Sequence, residues 1–318
     1  VPSINLAVYE QYLKARSYYG DFSRQSMDKA LEFLNSGIKE SPDWAPLYLS
    51  LTEAWLSIQL MGYESPSVTG QKITDNLNKA LELDPELSDV HYLRGMIAHM
   101  VEWNWEKSEE EYLKALAINP NHSSARIYYS FLLGGVLHRH DEALEQAKLA
   151  FSLDPLNQNL KASYAFTLMA AGNFIAGLSM AEEVTAIDPT NTVAHSIIIM
   201  VASRFKDYEK VLKSDRYLLP MQIPVEQDFF DVIYRIFKEN GIVAAYEKIL
   251  DRLESFAENN YIQFLEMVFR YIIAGQPDKA MDWIEKGYEF HDPQMSYITT
   301  SAYYLDSLYG NPRFIAIC

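Results

Sequence analysis

Histidines and carboxylates are where catalytic or metal chemistry would have to start, and this chain carries seven of the former and 43 of the latter. His138 and His140 flank Arg139 just ahead of Asp141, at a bend between two helical stretches. A metal centre there would need further converging ligands, and none stands near in sequence. The plainer interpretation is a solvated hairpin corner. His91, His99, His122, His195 and His291 are isolated on helical stretches or turns and read the same way. Glu109, Glu110 and Glu111 lie together on a helix and read as a solvated face. No glycine-rich phosphate loop, no G-x-S-x-G elbow and no H-E-x-x-H helix occurs. The residues offer an enzyme nothing to work with, so neither catalytic residues, cofactor nor metal is expected.

Charge narrows the partners. The 27 basic residues leave a formal net charge of −16. Phosphate backbones need a concentrated basic surface, and anionic lipid needs basic clusters. Direct nucleic-acid binding and membrane contact are therefore not expected of this segment; the acidic surface serves solubility first. The single cysteine, Cys318, rules out a disulfide within the chain. Absence of disulfides leaves the compartment open, with the cytoplasm favoured and the periplasm allowed if a membrane helix lies upstream. The chain opens Val1-Pro2-Ser3 without Met, which fits a processed or excised chain. No apolar run approaches the roughly 18 residues of a membrane span.

What positions these side chains is a period. From Pro85 onward, prolines return at Pro120, Pro155, Pro189 and Pro224, a step of 34 or 35 residues. Pro42 precedes the series and Pro293 lies about two periods past it. The phrases Ala80-Leu-Glu-Leu-Asp-Pro85, Ala115-Leu-Ala-Ile-Asn-Pro120, Ala150-Phe-Ser-Leu-Asp-Pro155 and Val184-Thr-Ala-Ile-Asp-Pro189 are variants of one another. Each ends an amphipathic helix with Asp or Asn and then a residue that cannot continue it. Small residues recur twelve places before the proline (Ala30, Ser108, Ala143, Gly177) and five places before it (Gly37, Ala80, Ala115, Ala150). Small side chains at fixed stations let one helix approach its neighbours closely.

This pattern resembles the tetratricopeptide repeat, whose helix–turn–helix unit is about 34 residues long. The resemblance implies an all-α, right-handed superhelical solenoid of about eight helical hairpins with a C-terminal capping helix. Residues 1–318 then form one solenoid, with regular repeats over 5–190, degenerate repeats over 191–258, and a recovered repeat and cap over 259–318. The recovery is marked by Gly275-Gln-Pro-Asp-Lys-Ala-Met-Asp-Trp. An insertion at Met61–Gly70 is expected between two helices. The closing helix is expected from about Ser296 to Tyr309, with Tyr303, Tyr304 and Tyr309 covering the last face.

Finer phrases, Tyr9-Glu-Gln-Tyr-Leu-Lys-Ala-Arg16, Ala45-Pro-Leu-Tyr-Leu-Ser-Leu-Thr-Glu-Ala-Trp55, Glu102-Trp-Asn-Trp through Tyr112, and Asn311-Pro-Arg-Phe314, are similar to the repeat region attached to bacterial signalling proteins. Those include winged-helix transcription regulators, class III adenylate cyclases and some Ser/Thr kinases. In them the repeats are the regulatory or partner-binding part. The implied role is a non-catalytic interaction or sensing domain with a protein or peptide partner.

In this architecture the first helix of each hairpin lines the concave face, with roughly positions 2, 5, 9 and 12 inward. That projection selects Tyr92, Met96, His99, Ile127, Phe131, Ala162, Phe166, Met169 and Met200 as a groove for an amphipathic helix or extended peptide. Periodicity cannot separate groove from interhelix core, so burial of several of them stays open. A carboxylate clamp needs Lys, Asn and Arg at groove positions, and Leu49, Glu53 and Tyr92 stand there instead. Asp228, Asp231, Arg235 and Lys238 would make the downstream end polar. Self-association into a homo-oligomer is the competing role. A small-molecule sensor using Trp103 and Trp105 is a third.

Overall fold

The Asp/Asn-Pro phrases become turns for a reason that can be seen in three of the four copies. Asp84, Asn119 and Asp188 close helices in extended conformation, with φ between −155° and −122°, as a residue before proline requires. Each then folds its side chain forward: Asp84 Oδ1 accepts from Glu86 N at 3.3 Å, Asn119 Oδ1 from Asn121 N at 3.0 Å, and Asp188 Oδ1 from Thr190 N at 3.1 Å. The short carboxyl or amide thus bridges the proline, which has no N–H of its own.

A computed structural model describes residues 5–20, 23–298 and 305–317. Among the described residues there is no strand. Contacts group the chain into two compact units, residues 1–125 and 126–318.

The first unit holds α1 (Leu6–Ser17), α2 (Arg24–Glu40), α3 (Ala45–Leu60), α4 (Pro66–Leu83), α5 (Ser88–Met100) and α6 (Trp105–Ile118). They pack as successive hairpins. Ala30, Ala80 and Ala115, picked out by the small-residue pattern, are fully buried. Ser108 is buried too, donating to Gly95 O at 2.9 Å. The expected insertion is half a loop. Its second part, from Pro66, is the first turn of α4, because Pro at the helix start has the right φ and no N–H to waste.

The second unit receives α7 (Ser123–Gly135), α8 (His140–Leu153), α9 (Gln158–Ala170), α10 (Phe174–Ile187), α11 (Thr192–Arg204), α12 (Tyr208–Gln222), α13 (Phe229–Ala257), α14 (Phe264–Ile273) and α15 (Pro277–Glu289). The chain division falls inside the first turn of α7. Gly177 sits against the backbone of α9: a Cβ there would stand 2.9 Å from Ala165 O. Helix α13 is two arms broken at Gly241, with φ 87° and ψ −179°, a conformation an L side chain avoids. Counting those arms, the described helices make eight pairs, and the degenerate stretch keeps its hairpins.

The C-terminal cap differs from the expected single helix. A 3₁₀ turn spans Pro293–Tyr297, a second spans Asp306–Leu308, and one short helix, α16, covers Pro312–Ile315. Gly310 at φ 90° turns the chain, and Asn311 caps the restart by accepting from Arg313 N at 2.9 Å. Tyr303 and Tyr304 lie outside the described residues. Tyr309 is 58% exposed, its ring edge-on to that of Phe314 at 6.3 Å; Leu305, Leu308 and Phe314 are the buried cap residues. Arg313 fastens α16 to α15 through Glu285 and Asp282, at 2.6–2.7 Å.

Candidate functional site

Seven of the nine groove candidates are buried in the structure: Tyr92, Met96, His99, Ile127, Ala162, Met169 and Met200. They face the neighbouring helices and serve as interhelix core. His99 is fully enclosed, edge-on to Trp105 at 6.0 Å, and burial pushes its imidazole down to about 3. Phe131 on α7 and Phe166 on α9 are the two that stay half-buried, and they stand together with ring centroids 5.3 Å apart, edge to face.

A third ring joins them. Tyr297, from the 3₁₀ turn Pro293–Tyr297, lies 6.3 Å from Phe131 and 6.2 Å from Phe166, edge-on to both. Burial pushes its phenol well above the usual tyrosine range, with Tyr128 adding to the shift. Phe269 of α14 packs against the neighbouring cluster that includes Ala162, Ala165, Met169 and Met200. Elements after residue 260 therefore cover part of the face that first helices α7 and α9 present. Tyr297 was not foreseen, because it sits on a segment outside the repeat phase.

Glu53 of α3 is half-buried, and the charges acting on it are those of Arg16, Asp89 and His122. Burial raises its carboxyl to about 7, against the pull of Arg16. The His122 ring lies tilted against Tyr92 at 5.0 Å, and its Nε2 stands 3.6 Å from Asp89 Oδ1. Two bland assignments need correction here. Glu111 is 3% exposed, not solvated, and His91 is not isolated: His91 Nδ1 is 2.7 Å from Glu111 Oε2, with Arg94 and Lys114 at 3.5 and 3.3 Å. Helical spacing alone cannot show which carboxylate of three faces a neighbouring helix.

The remaining candidates are dispersed. His138 is exposed, its ring 6.1 Å from that of His140. Among the described residues no three His, Cys, Asp or Glu gather as a metal-binding group. Asp228, Asp231, Arg235 and Lys238 are all exposed; Asp231 pairs with Arg216 at 3.4 Å and Lys238 with Glu209 at 3.1 Å. No described helix is long and apolar enough to cross a membrane.

Solved structures decide the fold class. Human IFIT1, solved as a dimer with m7Gppp-AAAA, superposes with a TM-score of 0.61 at 14% identity, over 88% of this chain and 72% of that one. Yeast Tom70 superposes at 0.52 and 14% identity, over 99% and 68%. The chain has a tetratricopeptide-type, all-α helical-repeat fold. No family model matches this repeat chain. The Salmonella typhimurium transcriptional regulator HilA is 25% identical to the repeat chain over 183 residues, 58% of this chain and 27% of that protein. The repeat chain thus matches about a quarter of the length of its curated relatives.

Proposed function

We propose that this repeat protein is a non-catalytic interaction scaffold that seats a peptide or helix on its inner face, as the regulatory part of a larger bacterial signalling protein. The observation that carries it is the pair Phe131 and Phe166: half-buried aromatic rings on two successive first helices, side by side, are the anchors a groove for an apolar side chain needs. The likeness to HilA, a transcriptional regulator, supports the signalling context. The net charge of −16 speaks against a nucleic-acid ligand for this chain and favours basic or neutral peptides.

Selection of a displayed random-peptide library on the immobilised chain tests this. Enriched peptides should carry an apolar anchor and bind Phe131→Ala and Phe166→Ala variants about tenfold more weakly, the loss of an anchor worth over 1 kcal/mol. Circular dichroism checks that the variants stay folded. Equal binding by folded variants removes the groove from the account.

Self-association is the second reading, favoured by apolar side chains on outer positions of the second unit: Leu153 is 42% exposed, Ile175 68% and Ile187 66%. Sedimentation at several concentrations separates it, since a strict monomer removes it.

A further inference from the structure

The aromatic pair on α7 and α9 is not vacant. Tyr297 covers it, and the turn that carries Tyr297 has anchors of its own. Asp292 caps the 3₁₀ turn, accepting from Gln294 N at 2.8 Å and from the Tyr261 hydroxyl at 2.9 Å. Met295 is buried in a notch made by the missing side chain of Gly287, where a Cβ would stand 2.8 Å from its sulfur. Ser296 Oγ donates to Pro293 O at 2.8 Å. These contacts belong to α15, the turn itself and the approach to α14. Tyr297, at the end of the turn, is the side chain that reaches Phe131 and Phe166.

We propose that Tyr297 is an internal occupant of the partner site: the Phe131–Phe166 pair is a receptor for one aromatic side chain of a partner peptide, and that side chain enters by displacing Tyr297. The chemistry of the partner follows from the present occupant. Three rings meeting edge to face at 77–87° select a flat π-system over an aliphatic branch. A rotation of one side chain vacates the pair while Met295 and Asp292 keep the turn in place. The tethered ring competes at high effective concentration, so the free chain binds weakly and the apparent affinity is reduced by the fraction of molecules with Tyr297 swung out. The inference rests on the groove reading above and goes beyond it in naming the anchor and its competitor.

Fluorine NMR of the chain carrying 4-fluorophenylalanine at position 166 reads the pair directly. Tyr297→Ala should move the resonance, and Tyr297→Phe should leave it near its original place. The probe is a synthetic peptide copying residues 292–298, Asp-Pro-Gln-Met-Ser-Tyr-Ile. It should return the Tyr297→Ala resonance toward the wild-type position, with an apparent affinity about tenfold tighter than for the unmutated chain. The same peptide with its tyrosine replaced by alanine should do nothing. Should Tyr297→Ala fail to fold by circular dichroism, Tyr297→Leu keeps apolar bulk without the ring and is titrated in its place. Equal affinity of the peptide for variant and unmutated chain, with the resonance moving in both, overturns the displacement and leaves the groove standing. A peptide that binds without moving the resonance overturns the groove as well. A resonance unmoved by Tyr297→Ala, or peptides that act alike with and without the tyrosine, overturn the proposal outright.

Discussion

Arg270 donates from Nη2 to Asp215 Oδ1 at 2.9 Å, with both side chains at most 4% exposed. The bond joins α14 to α12, and Tyr246 of α13 donates its hydroxyl to the other Asp215 oxygen. Arg270 Nη1 is taken by Glu266 one turn back. A buried pair whose partner is removed leaves an uncompensated charge, costing about 3–5 kcal/mol, whereas replacing both ions with apolar groups costs far less. Arg270→Met should therefore lose about 3–5 kcal/mol in urea unfolding, and Asp215→Leu with Arg270→Met should recover most of it. A single-variant loss under about 1 kcal/mol would show that the pair does not hold these three helices together.

The small-residue stations predict a contrast between two glycines. Gly177→Ala puts a Cβ 2.9 Å from Ala165 O and 3.2 Å from Met169 N, both backbone atoms that cannot turn aside. Gly70 also lies in a helix, but nothing stands within 4 Å of its Cβ position. Gly177→Ala should lose about 1–3 kcal/mol by overpacking, and Gly70→Ala should gain about 0.5–1 kcal/mol from helix propensity. Thermal melts of the two variants, run side by side, check the sign of each.

Glu53 predicts a pH dependence. Its folded carboxyl is raised by burial to about 7, against about 4.3 in an unfolded chain. The folded state thus holds the proton more tightly, so this group's contribution is present below pH 4.3 and is lost as pH rises through 7. Arg16 opposes the shift, Asp89 adds to it, and His122 opposes it. Glu53→Gln should match the unmutated chain at pH 4 and exceed its stability at pH 8 by roughly 1–3 kcal/mol. A difference independent of pH between 4 and 8 would mean that folding leaves the Glu53 carboxyl at its unfolded value, contradicting the shift.

The repeat was legible because its determinants are local. Asp/Asn before proline, and Ala or Gly at fixed offsets, act within one hairpin, so their period survives in the sequence. Phe131 and Phe166 were found by projecting that period, yet Met96, Ile127 and Met169 obey the same projection and are core. On a first helix the inner face and the face toward the next hairpin are adjacent, and apolar residues suit both. Tyr297 and the Asp215–Arg270 pair were out of reach for a different reason. Each depends on groups 31 or more residues away that share no phase with the repeat. In the degenerate stretch over 191–258 the small-residue markers fade, and buried polar bonds from Asp215 connect the helices there.

The central claim is that a partner peptide lies on the first helices α7 and α9 of the second unit. Its most direct test is a library-selected peptide carrying a benzophenone in place of its anchor side chain, cross-linked by light and mapped by mass spectrometry. Adducts on α7 and α9, centred on Phe131 and Phe166, are the predicted result. Adducts confined to the second helices α8 and α10, beside Leu153 and Ile175, would contradict it.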